Sequence, residues 1–99
     1  MALRPEHERI FREIYEGNEK WLYQNIVRQI GDPSNTEDIL QEVAVAFLFH
    51  FNEFLPDYPD NAKQVGQWLL GVAQNKVKHY WRKHYRTLEM EASAELLPN

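Results

Sequence analysis

The segment from Gln67 to Arg86, QWLLGVAQNKVKHYWRKHYR, decides how this chain folds, because it is long, free of proline and amphipathic. At 100° per residue, an α-helix over this segment separates its side chains into two sides. The inward side consists of Val65, Leu69, Val72, Ala73, Val77, Tyr80 and His84. The outward side consists of Gln67, Gln74, Asn75, Lys78, Arg82 and Arg86. The sequence therefore predicts a long helix that packs on a core along one side.

Positive charge is concentrated in this helix. Residues 61–88 contain six Lys or Arg and no Asp or Glu, whereas the rest of the chain holds all fifteen acids and five Lys or Arg. The net charge of −4 argues against indiscriminate binding to nucleic acid, so any such binding must be confined to the basic helix. Tyr80, Trp81 and Tyr85 alternate with the cations, a combination that suits phosphates and unstacked bases. The alternative is a solvated basic face without a ligand.

Length and composition indicate one folded domain. A chain of 99 residues can bury a single modest core, and 13% aromatic residues is typical of a folded chain. The chain has no Cys, which excludes disulfides and cysteine zinc sites. It has no apolar run of about 18 residues and no signal-peptide pattern. We therefore expect a cytoplasmic protein that does not enter a membrane.

Two more helices precede the basic one. The first follows a tail of residues 1–5 and ends at Gly31, and Gly17-Asn18 should weaken or kink it. The second covers about residues 34–54. Either Asp32 caps it, with Pro33 in the first turn, or Ser34 does, with Glu37 closing a capping box; the sequence leaves both open.

The predicted fold is all-α, a compact bundle of three main helices with the first one kinked. A proline-rich loop, residues 55–61, joins the second helix to the third, and Asp60 or Asn61 can cap the third. The domain is expected to span residues 6–88. Residues 89–99 are expected to form a C-terminal tail or the start of a linker.

The second helix has two different faces. Its core stripe consists of Ile39, Leu40, Val43, Ala46, Phe47, Phe51 and Phe54. Its opposite face consists of Asp38, Gln41, Glu42, Val45, Leu48, Phe49 and Asn52. A helix that packed only on its own core would be mostly charged there, so the mixture of acids, amides and apolar side chains predicts a protein-binding face. The alternative is that another helix of this domain covers it.

The sequence contains no pattern typical of catalysis. A nucleophile elbow, a Gly-rich phosphate loop and a metal-binding His pair are all missing, so we expect neither an enzyme nor a cofactor or metal site. His50 lies on the core stripe and is predicted to be a core histidine. Tyr58, between two prolines, can stack on a base or fold back onto the core. Trp68 is predicted to be a core anchor.

The order of these features resembles region 2 of bacterial RNA polymerase sigma factors of the extracytoplasmic-function type. The resemblance runs from Phe11 to Arg86 through FREIYEGNEKWLYQNIVRQIGD, TEDILQEVAVAFLF and QWLLGVAQNKVKHYWRKHYR. EDILQEV is similar to the family's polymerase-binding segment, and W-L-L-x-x-A-x-N resembles the start of its promoter-reading helix. Val65 stands where the family usually has an aromatic residue, and the loop before it is longer than usual.

The resemblance implies partners and sites but no cofactor. In the family, the outer face of the second helix grips the clamp helices of the largest subunit of core RNA polymerase. The corresponding residues here are Asp38, Gln41, Glu42, Val45 and Phe49. The family's loop and last helix hold the non-template strand of the promoter minus-ten element. The corresponding residues here are Tyr58, Asn75, Lys78, Arg82, Lys83 and Arg86.

An anti-sigma factor is a further partner that the resemblance implies. Two rival functions stay open at this point. One is a helix-turn-helix-like regulator that binds duplex DNA. The other is a sigma-like protein-interaction regulator or decoy that does not read a promoter.

Overall fold

The computed structural model describes the backbone of residues 3–96 and the side chains of residues 3–92. Within this range it consists of α1 (Pro5–Ile30), α2 (Pro33–Phe54) and α3 (Ala62–Leu96), with a short 3-10 helix at Leu55–Asp57. Short connections make successive helices antiparallel, and each helix contacts both of the others. The described residues contain no strand, which confirms the predicted all-α class.

The turn between α1 and α2 is closed by two caps. Gly31 adopts the left-handed conformation at φ 69°, and its N–H donates to the carbonyl of Val27, so it ends α1 as predicted. The carboxylate of Asp32 accepts from the backbone N–H of Asn35 at 3.2 Å. Asp32 is therefore the N-cap of α2, with Pro33 in the first turn, and Ser34 is not. Hydrogen bonds from the backbone and side chain of Asn35 also lower the pKa of Asp32.

α1 runs without interruption through Gly17, where the sequence predicts weakening or a kink. The side chain of Asn18 donates to the carbonyl of Ile14 at 2.8 Å, which ties this turn to the preceding one. Asn18 also faces α3: a Cβ atom on Gly66 would lie 3.2 Å from its side-chain oxygen. Gly66 therefore allows a close approach of α1 and α3.

The core combines aliphatic side chains from all three helices with an aromatic cluster. Its buried apolar residues are Ile14, Leu22, Ile26, Ile30, Ile39, Leu40, Val43, Phe47, Phe51, Val65, Leu69, Ala73 and Val77. The ring of Phe11 stacks on Phe47 at 4.8 Å between centroids, and Phe47 meets Phe51 edge-on at 5.6 Å. Trp68 packs against Phe47 and Phe54, which confirms its expected role as a core anchor.

The prediction for His50 is wrong. Its side chain is exposed, and its Nδ1 lies 3.1 Å from a carboxylate oxygen of Glu53. Trp68 fills the space between α2 and α3 at this level, with its ring 5.2 Å from the imidazole of His50. The tryptophan therefore takes the inner position, and the histidine lies at the edge of the core stripe.

The loop before α3 is held by its own polar groups and by one aromatic ring. Tyr58 folds back, half-buried, against the hydrophobic core. The side-chain amide of Asn61 donates to the carbonyl of Phe54 at 2.9 Å, while its backbone carbonyl accepts from Val65 at 3.0 Å. Asn61 thus begins α3 with its backbone and closes the loop with its side chain.

Tyr15 provides a test of the α1–α2 contact. Its hydroxyl donates to the carbonyl of Leu40 at 2.8 Å. Tyr15→Phe should lower the free energy of unfolding by about 1 kcal/mol at pH 7, measured by urea denaturation. Tyr23→Phe is the control, because Tyr23 is half-buried and its hydroxyl makes no hydrogen bond to the described residues. An equal loss in both variants would contradict the prediction.

The same residue predicts a pH dependence. Burial, then the charges of Glu19 and Glu37, raises the pKa of Tyr15 from its ordinary 10.0 to about 12. A raised pKa means that folding favours the protonated phenol, so this stability is complete below pH 10 and lost as the pH rises towards 12. Between those pH values, the wild type should lose more stability than Tyr15→Phe.

Candidate protein and nucleic-acid interface

The outer face of α2 is open to solvent. Val45 is 53% exposed and Phe49 is 69% exposed, and the polar residues of the predicted site surround them. The polar residues of the predicted site, Asp38, Gln41 and Glu42, are all exposed, as is Asn52 on the same face. No helix in the described part of the chain covers these side chains, so the alternative that this face is buried within the domain is wrong. An exposed phenylalanine beside acids and an amide is suited to a protein partner.

Four of the six predicted DNA contacts form one exposed stripe on α3. The stripe consists of Asn75, Lys78, Arg82 and Arg86. Their spacing places them on one side of the helix over about 16 Å. Ala73 and Val77, buried on the other side, fix the rotation of the helix so that the stripe faces outward.

The cations of this stripe have no acidic partners among the described residues. The ion pairs in that part of the chain are Arg12 with Glu8 and His50 with Glu53. An unpaired cation on a helix surface is free to contact a phosphate without first breaking a salt bridge.

The other two predicted DNA contacts lie elsewhere. Tyr58 is at the N-terminal end of α3, where it is half-buried against the core. Arg82 lies twenty residues beyond the start of α3 at Ala62, about 30 Å along the helix axis. Lys83 points into a groove between α2 and α3. The structure therefore does not gather all six residues into one surface.

The α2–α3 groove brings the two predicted sites together. It has a volume of about 820 Å³. One wall is formed by Asp38, Gln41, Glu42 and Val45 of α2, and the other by Lys76, His79, Tyr80 and Lys83 of α3. No lysine on the second wall lies within 4.0 Å of a carboxylate in the described residues. The acidic and basic walls face each other across an open space.

Lys76, His79 and Tyr80 line this groove although none of them belongs to a site predicted from the sequence. The position of the two lysines could have been predicted from the sequence, because Lys76 and Lys83 follow Leu69 at successive spacings of seven residues. Residues seven apart lie on nearly the same side of a helix, so both lysines had to approach α2.

A second groove lies on the other side of α2, against α1. It has a volume of about 600 Å³ and includes Phe11, Ala44 and Leu48, with Glu16 and Glu19 among the polar residues beside them. Val45 lines both grooves, so it stands on the ridge between them. The exposed face of α2 is therefore a ridge with a depression on each side.

The sigma-70 region 2 family matches residues 14–87, which include most of α1, all of α2 and the basic part of α3. The chain belongs to the sigma-70 region 2 family. It is 29% identical over 76 residues to the ECF RNA polymerase sigma factor SigX of Bacillus subtilis (strain 168). That match covers 77% of this chain but 37% of SigX, so the chain spans little more than a third of this curated relative. No solved structure matches the chain.

The described residues contain neither a membrane-spanning helix nor a metal-binding cluster. None of the described helices combines the length and the hydropathy that a bilayer crossing requires. Among the same residues, no three His, Asp or Glu side chains are grouped so that they could hold a metal ion.

Because Asp38 and Glu42 face Lys76 and Lys83 across the groove, we expect these acids to weaken the binding of polyanions to α3. At 0.1 M salt, each acid within about 10 Å of a bound polyanion weakens its binding by a few tenths of a kcal/mol. Asp38→Asn with Glu42→Gln should therefore tighten heparin binding about two- to threefold. Affinity titration at several salt concentrations measures the effect.

The matched control for this double variant is Glu16→Gln with Glu19→Gln. It changes the net charge equally, but both residues belong to α1 and line the groove on the far side of α2. Equal tightening by both double variants would show that net charge alone is responsible.

Proposed function

We propose that this chain is the part of a sigma factor that binds core RNA polymerase and opens the promoter minus-ten element at the start of transcription. One observation carries the proposal. The exposed acidic and apolar ridge of α2 and the unpaired basic stripe of α3 are held by one core of three helices. A protein partner on the first face and a nucleic acid on the second can be bound at the same time.

The polymerase contact is proposed to centre on Phe49 and Val45. Both are largely exposed, and covering apolar surface contributes about 25 cal/mol per Å². A desolvated aromatic anchor surrounded by polar contacts is the usual energetic centre of a protein interface. Gln41 and Glu42 would then provide the hydrogen bonds and charge that orient the partner. An anti-sigma factor would have to cover the same face to block polymerase.

The DNA contact is proposed to lie along the α3 stripe. Lys78, Arg82 and Arg86 supply charge for phosphates, and Asn75 supplies an amide that can bond a base edge. Such an amide discriminates between bases only when the base edge is accessible, as it is in an opened strand. Strand opening on this surface requires binding energy but no bond-breaking step, so the proposed function is not enzymatic.

Tyr58 and Lys83 have less direct parts in this proposal. The half-buried ring of Tyr58 would support the loop and leave only its exposed portion for a base. Lys83 would attract phosphate more strongly once the acids opposite it in the groove had found another partner.

The polymerase contact is tested by Phe49→Ala combined with Glu42→Lys. The first change removes the proposed anchor and the second reverses a charge, so affinity for core polymerase should fall at least about tenfold. Fluorescence anisotropy of the labelled chain measures it. Helicity and thermal stability should not change, because both side chains are exposed.

The matched control for polymerase binding is Met90→Ala with Glu89→Lys. These residues are also exposed, and the changes are of the same kinds, but they lie near the end of α3. Undiminished binding of the Phe49 and Glu42 variant, or an equal loss in the control, would exclude the α2 face.

The DNA contact is tested by single substitutions on the stripe. Lys78→Ala and Arg82→Ala should each weaken binding to single-stranded minus-ten DNA of every sequence. Each should also reduce the slope of log affinity against log salt by about 0.7, the value for one phosphate contact on a single strand. Asn75→Ala should instead lose discrimination between bases, by about 1–3 kcal/mol.

Titrations of single-stranded and duplex oligonucleotides, with and without core polymerase, separate the possible functions. Lys20→Ala on α1 is the control for loss of one positive charge. Preference for the duplex would support the helix-turn-helix alternative. No binding even with polymerase present would support the decoy.

A further inference from the structure

α3 continues far beyond the bundle that it helps to form. Tyr80 and Trp81 are its last residues to pack against the core, and every described residue from Arg82 to Ala92 is exposed. The helix nevertheless runs to Leu96, so about 20 Å of it projects into solvent. As the continuation of a packed helix this segment needs no new nucleus, but its exposed turns gain no stability from tertiary packing unless a partner covers them.

The projecting part carries an apolar stripe. The stripe begins at Trp81, the last residue packed on the core, and continues in the projecting part through Tyr85, Leu88 and Ala92, at spacings of four, three and four residues. This is the spacing of the a and d positions of a coiled coil, which form a seam against a second helix. Tyr85 is 59% exposed, Leu88 is 46% exposed and Ala92 is exposed as well, so the seam beyond the half-buried Trp81 is open to solvent.

Polar side chains flank the seam, and on one flank the charge changes sign along the helix. Arg82 and Glu89 flank it on one side, at the two e positions, and His84 and Glu91 flank it on the other, at the two g positions. In an antiparallel pair of helices, e positions face e positions and g positions face g positions. Two antiparallel copies would therefore place Arg82 against Glu89 and His84 against Glu91, each pair twice by symmetry.

The seam residues also match in size in this arrangement. When Tyr85 of one copy lies opposite Leu88 of the other, Trp81 lies opposite Ala92, so a large side chain meets a small one in the outer layers. A parallel pair would instead set Trp81 against Trp81 and the basic stretches side by side. The antiparallel pair also separates the two bundles by about 16 Å, the rise over the eleven residue steps from Trp81 to Ala92.

We propose that a second copy of this chain docks antiparallel on the seam of Trp81, Tyr85, Leu88 and Ala92. The contact is short and belongs to the small class of interfaces, below about 1,200 Å², that associate weakly. Arg82 takes part in both this seam and the proposed DNA stripe, so the paired form and the DNA-bound form exclude each other.

The proposal is tested by sedimentation equilibrium of the 99-residue chain from micromolar to millimolar concentration, without DNA or polymerase. The wild type should form dimers reversibly as concentration rises. Leu88→Glu should weaken dimer formation at least about tenfold, because it places a charge in the seam. Met90→Glu introduces the same charge at an exposed position outside the seam and should leave dimer formation unchanged.

Charge reversal tests the orientation. Arg82→Glu and Glu89→Arg should each weaken the dimer about three- to tenfold, and the double variant should restore it, because the reversed pairs face each other again. A chain that stays monomeric at millimolar concentration would overturn the proposal. So would equal effects of Leu88→Glu and Met90→Glu, or no rescue in the double reversal.

Discussion

Aromatic packing around Phe47 is the interaction on which the rest of the structure depends. Phe47 and Phe51 of α2 are fully buried, Phe11 of α1 stacks on Phe47 at 4.8 Å, and Trp68 of α3 lies 6.3 Å from the same ring. Rings from all three helices therefore meet at one residue, and each helix is fixed in rotation about its own axis. Replacing a buried phenylalanine by alanine typically costs about 3–5 kcal/mol, a large part of the stability of a small domain.

Fixing the rotation of the helices also decides which side chains face solvent. With Val43 and Phe47 turned inward, Val45 and Phe49 must turn outward, although the core would accommodate them chemically. With Val77 turned inward, Lys78 must turn outward. The exposed ridge of α2 and the basic stripe of α3 are therefore consequences of one core, and a single substitution at Phe47 would disturb both.

Periodicity made the helices and the buried stripes predictable, since burial recurs with the helical period. It did not predict how neighbouring side chains share the interior. His50 fits the stripe of α2, yet Trp68 from another helix occupies the inner position. Lys83 and Asp38 belong to separate predicted sites, but their helices cross so that both line one groove. Such outcomes depend on contacts between helices, which the pattern of a single helix does not contain.

The acids of α2 lie next to the cations of α3, which suggests how an acidic chain could bind nucleic acid only when a protein partner covers α2. In the free chain, Asp38 and Glu42 stand opposite Lys76 and Lys83, and we expect their charges to reduce the attraction of these lysines for phosphate. A partner that neutralised these acids by binding α2 would strengthen the positive field of α3 without moving a helix. Pairing through the α3 seam would act in the opposite direction, by engaging Arg82. DNA contact would then be favoured only when a protein covers α2 and no second copy covers α3.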